Sequence, residues 1–205
     1  MSDNFSSTQV AELICTRISH DLIGNIGAVS NAVELLDDDP ESVADVKPIL
    51  DISSKVLSDR LKFFRLAFGL NNAVVKNIEE LNIIAQNYVQ TIGNRNFPIN
   101  LDLQINTPQI YKIVLLGIMS LADIFIKGGT VLIKENSTDL LFDATSDFVL
   151  SKTKLQNIQN VLQGALPDEN PALYAPIVYL QNILKDFNAN IRFEFTDCKA
   201  ILQIA

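Results

Sequence analysis

The sequence predicts an α+β chain: a long helical hairpin that forms a dimeric four-helix bundle, followed by a small α/β sandwich of helices packed on one face of a mixed sheet. Three observations carry this. Apolar residues recur at helical spacing from Ser6 to Gly69 with one short interruption, and after Asn71-Asn72 the pattern changes to short alternating runs interspersed with apolar helical ones. The two long apolar stripes are also broader than two helices can bury against each other. Pairing with a second copy removes that surface from water, so a homodimer is expected.

The first helix is expected from about Ser6 to Leu36, with Val10, Ile14, Ile18, Leu22, Ile26, Val29, Val33 and Leu36 in one stripe, stopping at Asp37-Asp38-Asp39. Asp39-Pro40-Glu41 then reads as an N-cap followed by proline at the first helical position. The second helix continues to about Gly69 with Leu50, Leu57, Leu61, Phe64 and Phe68 in register, and Pro48 either kinks it or marks its true start. This gives a hairpin domain over residues 1–72 and a second domain over 73–205. In the second, Ile78 to Thr91 is helical, Pro98 to Ile105 alternates as a strand, and Gln109 to Lys127 is an apolar helix ended by Gly128-Gly129. Strands follow at Thr130 to Lys134, Leu140 to Phe142 and Phe148 to Leu150. Pro171 to Phe187 is a helix, and Ile191 to Phe195 with Ala200 to Ile204 closes the domain as a hairpin.

Composition narrows the class. With 205 residues, 48% of them hydrophobic, the chain can bury one sizeable core or two small ones. No stretch approaches 18 consecutive apolar residues, and Met1-Ser2-Asp3-Asn4 lacks the basic start of a signal peptide, so a cytoplasmic protein is expected. Cys15, on the apolar side of its helix, and Cys198 lack C-x-x-C spacing and read as reduced core residues. A net charge of −8 argues against nucleic-acid or anionic-membrane binding. The local exception is Arg60, Lys62 and Arg65, interleaved with Leu61, Phe63 and Phe64: either solvated charge on an amphipathic helix or a small anion-facing patch.

His20, in Ser19-His20-Asp21-Leu22, is the only histidine. A multi-histidine metal site is therefore excluded, and any triad would have to recruit this one ring. At about 100° per residue it lies opposite the apolar stripe and faces outward, with Gly24, Gly27 and Asn31 along the same face, Thr16 and Arg17 one turn before, and Ile23 and Leu13 at its flanks. Glycine inside a helix costs about 0.8–1 kcal/mol relative to alanine, so two beside an exposed histidine mark a surface that another backbone approaches closely, or else a kink. The pattern alone leaves open a solvated histidine and a histidine acting as nucleophile or proton carrier.

The residues Ser19-His20-Asp21-Leu22-Ile23-Gly24, Gly27-Ala28-Val29 and Val33-Glu34-Leu35-Leu36 resemble the first helix of the ChpT-type histidine phosphotransferases, and Arg60 to Gly69 resembles the family's second helix. The order of elements after Asn71 is similar to the family's degenerate histidine-kinase ATPase domain. The chain departs from the pattern at Asn25, where the family usually has proline. Aligning Leu115 to Asp123 with the central helix of a working ATPase domain puts Gly117 and Leu121 where the metal-orienting asparagines stand, and neither side chain coordinates Mg²⁺. No D-x-G-x-G occurs around Asp143, and no G-x-G precedes Pro171. No nucleotide or metal cofactor is expected on this chain.

The resemblance implies a relay in which His20 attacks a receiver-domain phospho-aspartate and later surrenders the phosphoryl group to another, with Mg²⁺ on the partner receiver domain. Asp21 would orient the ring and favour its cationic form, Arg17 and Arg65 would contact phosphoryl oxygens or the partner, and Ile23, Gly24, Gly27 and Asn31 would receive the partner. It further implies a donor receiver on a hybrid histidine kinase similar to CckA, and response regulators similar to CtrA and CpdR as acceptors. The alternatives are a non-catalytic dimeric interaction module, an atypical kinase if ATP binds, or a receiver phosphatase.

Overall fold

The structure is a computed structural model that describes residues 5–70, 75–93 and 96–205. The first helix, α1, spans Ser7–Asp38, and α2 spans Val43–Phe68, with a 3-10 turn at Pro40–Ser42 between them. The helix begins near Ser6 as expected, and Ser6 caps it: its hydroxyl accepts from the Gln9 amide while the Gln9 side chain accepts from the Ser6 amide, so two orphan donors are satisfied reciprocally. The Asp39 carboxylate accepts from the Glu41 amide to start the turn. Pro48 lies inside α2 rather than at its start. The expected domain boundary, like Met1 to Asn4, lies outside the described residues.

The rest of the chain runs α3 (Ile78–Gln90), β1 (Ile99–Gln104), α4 (Tyr111–Ala122), β2 (Gly129–Glu135), β3 (Leu140–Thr145), α5 (Lys152–Leu162), α6 (Ala175–Lys185), β4 (Ile191–Phe195) and β5 (Lys199–Ile204). The sheet order is β1-β2-β3-β5-β4, parallel only between β1 and β2. Its register puts Leu103, Ile133, Phe142, Leu202 and Phe193 in one row across all five strands, on the face the helices cover. Val10, Leu13, Phe63, Phe64 and Ala67 of the hairpin join the same apolar core as this row. The base of the hairpin is thus packed into the α/β unit, which fixes where the next turn of α1 emerges.

Gly117 lets α4 settle on that row. A Cβ there would stand 2.3 Å from the Phe142 ring, and Phe142 is fully buried. Gly117→Ala is therefore expected to destabilise the fold by about 1–3 kcal/mol, the cost of overpacking, despite alanine's better helix propensity. Urea unfolding would measure it, and an unchanged midpoint would contradict this packing.

Several expectations are corrected. The apolar helix ends at Ala122 rather than Lys127, because the chain tightens into successive turns from Leu121 to Phe125 that still bury Ile124 and Phe125. Phe148 to Leu150 is not a strand: it is a loop whose Leu150 amide donates to the Asp197 carbonyl, with Phe148 and Val149 exposed. An additional helix, α5, capped by Ser151, buries Leu155, Ile158 and Val161. Leu61 is exposed, because the buried face of α2 turns toward Phe63, which stacks on Tyr88 at 3.7 Å. Cys15 is exposed rather than in the core, since α1 buries Val10, Leu13 and Arg17 instead; both cysteines are free. Among the described residues no helix is long and apolar enough to cross a membrane.

Candidate functional site

His20 stands on α1 one turn beyond the part of the helix that the α/β unit covers. Leu13 and Arg17 lie on nearly the same angular face but are buried, whereas the His20 side chain is 79% exposed. Ile23, one turn further, is also exposed, and a Cβ added at Gly24 or Gly27 would meet nothing within 4 Å. At about 1.5 Å per residue, the strip from His20 through Gly24 and Gly27 to the exposed Asn31 is roughly 16 Å long. The two glycines therefore face open space rather than a neighbouring element. Leu13, expected at the flank of this surface, is instead packed in the core and takes no part in it.

Asp21 is held from two sides. Its Oδ2 accepts from Arg17 Nε at 2.7 Å, and its backbone carbonyl accepts from Arg60 Nη1. Its Oδ1 lies 3.3 Å from His20 Nδ1, a long hydrogen bond. A carboxylate can only accept, so this contact favours the proton on Nδ1 and leaves Nε2 with a free lone pair toward solvent.

Arg17 is not where a phosphoryl contact would need it. It is 3% exposed, and besides Asp21 it donates to Asp123 Oδ2 at 2.7 Å and to the Leu173 carbonyl at 3.1 Å. Burial alone disfavours its charge, but Asp123 above all outweighs this, with Asp21 adding to it, and the guanidinium pKa is raised above its ordinary value. The Tyr88 hydroxyl beside this group is buried and without a hydrogen-bond partner, and burial pushes its pKa well up.

The basic cluster on α2 is not a single patch. Arg60 ties Asp21 to the end of α3, donating to the Thr91 hydroxyl and carbonyl at 3.0 Å each. Arg65 and Lys62 are exposed. Arg60 is the one level with His20; Arg65 lies roughly 7 Å further along α2, at about 1.5 Å per residue. Asp123 is the part of this group that local patterning misses, and Arg60, which reads from sequence as one of a basic cluster, braces the Asp21 carbonyl instead. Arg17 and Asp123 are 106 positions apart, and no spacing rule joins them. Among the described residues no group of three or more His, Cys, Asp or Glu is arranged to hold a metal ion.

No protein-family model matches the chain. Over 64 residues it is 38% identical to the protein phosphotransferase ChpT of Brucella abortus (strain 2308), a match covering 31% of this chain and 30% of that relative's length. The whole architecture matches a solved bacterial phosphotransferase at a TM-score of 0.75, covering 98% of both chains at 21% identity, which shows a shared fold. A histidine kinase domain from the Erythrobacter litoralis EL346 blue-light activated histidine kinase overlaps at a TM-score of only 0.43 and 11% identity, a level from which no fold relation follows.

Proposed function

We propose that this chain is a histidine phosphotransferase that relays a phosphoryl group through His20 between receiver-domain aspartates. The observation that carries the reading is a single imidazole, exposed on a glycine-bared strip, whose Nδ1 faces a carboxylate pinned by a buried arginine. The similarity to ChpT and the shared fold with a bacterial phosphotransferase support it.

In the forward step Nε2 attacks phosphorus of the aspartyl phosphate, the N–P bond forms, the O–P bond breaks, and the receiver carboxylate leaves with the electron pair. The Nδ1 proton stays, so the ring becomes cationic, and Asp21 stabilises that charge. The resemblance implies Mg²⁺ on the receiver, where it would stabilise the phosphoryl oxygens. A helix of the receiver lies along Gly24, Gly27 and Asn31 with Ile23 as apolar contact, a small interface that suits a transient encounter. Residues 1–72 carry transfer and dimerisation, while 73–205 serve as a docking scaffold without a nucleotide site. By family resemblance, the donor is the receiver of a CckA-like hybrid kinase and the acceptors are CtrA-like and CpdR-like regulators.

The test is transfer from a phosphorylated receiver. Acid-labile, base-stable label that appears on this chain and then moves to a second receiver is the expected result. No label from any of several receivers would leave a non-catalytic interaction module.

The dimer has its own test. Ile26, Val33, Ile49 and Ile52 of the hairpin are 44–53% exposed, on a half that the α/β unit does not cover. Closing them against a second copy forms a four-helix bundle. Placing a charge in that seam, as in Val33→Glu with Ile49→Glu, is expected to cost about 3 kcal/mol or more of association, over 100-fold in dissociation constant. Sedimentation should then show a monomer, and an unmoved mass would contradict this seam.

A further inference from the structure

We propose that Asp123 is a positioning residue for His20, so that the α/β unit sets the nucleophile through the chain Asp123, Arg17, Asp21. The proposal rests on His20 being the phosphoryl acceptor, but its first readout does not need transfer to occur.

The links join two elements, the end of α4 and the middle of α1. Asp123 follows the last residue of α4, and its own backbone carbonyl accepts from Lys154 Nζ of α5 at 2.8 Å, so its place is fixed from the α/β side. Its carboxylate holds Arg17 Nη1 at 2.7 Å, and the Leu173 carbonyl takes the same nitrogen at 3.1 Å. Arg17 Nε then holds Asp21 Oδ2 at 2.7 Å, which leaves Oδ1 facing His20 Nδ1. A guanidinium is planar, so fixing Nη1 on one carboxylate fixes where Nε meets the other. At 3% exposure, Arg17 has almost no water to take the place of either partner.

The imidazole is otherwise free to turn, since its side chain is 79% exposed and, among the described residues, Asp21 is its one polar contact. Its tautomer is therefore set by where Asp21 Oδ1 stands. A displaced Asp21 lets the Nε2–H form rise, and in that form the outward nitrogen carries a proton and cannot attack.

The experiment uses the full chain with ¹⁵N-labelled histidine, whose single imidazole gives one unambiguous set of ring signals. Long-range ¹H–¹⁵N spectra, recorded where the ring is neutral, report the tautomer. The wild type is expected to show Nδ1–H. Asp123→Asn, nearly isosteric, is expected to raise the Nε2–H share and slow transfer by about 10–100-fold with little change in receiver affinity. Asp123→Glu, which keeps the charge, is expected to recover part of both. Arg17→Lys keeps a cation without the fork and is the second disrupting variant should the asparagine chain fail to fold.

An unchanged tautomer and rate in the disrupting variants would overturn the proposal, as would a wild-type ring already in the Nε2–H form. A tautomer that shifts as expected, in a protein that takes no phosphoryl group from any receiver, would uphold the positioning and sink the phosphotransfer reading.

Discussion

A His20→Gln chain is expected to fold, dimerise and accept no phosphoryl group at all. The sequence contains no second imidazole to substitute for the lost one, so the loss should be complete rather than graded. The fold should be indifferent: the side chain is 79% exposed and its polar contact among the described residues is the 3.3 Å approach to Asp21, so the change in stability is expected within about 0.5 kcal/mol. That separation of function from stability gives the test its force. Label that persists on the glutamine chain would place the chemistry elsewhere, and its stability in acid and base would say where: a phosphorylated carboxylate is base-labile, unlike the phosphoramidate of histidine. Melting curves of the two proteins should overlay, which excludes misfolding as the cause of lost label.

The elements that could be read from sequence were those whose physics is local. The start of α1 near Ser6, the Asp39 cap, the helical periodicity to Phe68 and the period-two alternation of β1, β2, β4 and β5 depend on residues a few positions apart. His20 facing outward follows from the same local geometry. What failed was decided by contacts far along the chain. Leu13 reads as exposed from its angle on one helix, whereas α6 and the turn at Pro171–Tyr174 lie across that face of α1. Arg17 looked like a free cation beside the histidine for the same reason, and its two distant acceptors come from Asp123 and Leu173. α5 is hard to see in the sequence because its helical signal is narrow: three buried apolar residues in a polar run, announced only by the Ser151 cap. Angular position on α1 thus predicts exposure where the helix stands clear of the α/β unit and fails where it does not.

Arg17→Ala is expected to be the most costly single change in this region, at about 3–5 kcal/mol, because it leaves two carboxylates facing each other without the cation between them. Asp21 and Asp123 are 13% and 16% exposed, each 2.7 Å from the guanidinium, and the Leu173 carbonyl loses its donor as well. Chemical denaturation should show a large fall in midpoint. If Arg17 were instead a surface group reaching for phosphoryl oxygens, alanine would cost little stability and weaken transfer alone.

The double-mutant cycle with Asp123→Asn makes the distinction sharper. In the native background that change removes charge from a paired carboxylate and destabilises. In the Arg17→Ala background it relieves a repulsion, and should cost less or even stabilise. A coupling energy of about 1–3 kcal/mol is the expected outcome, as for residues in direct contact within one polar network. Additive effects would mean that the two side chains do not share the buried ion pair. The pin between the hairpin and the α/β unit would then have to be sought in Arg60, which ties the Asp21 carbonyl to Thr91 at the end of α3.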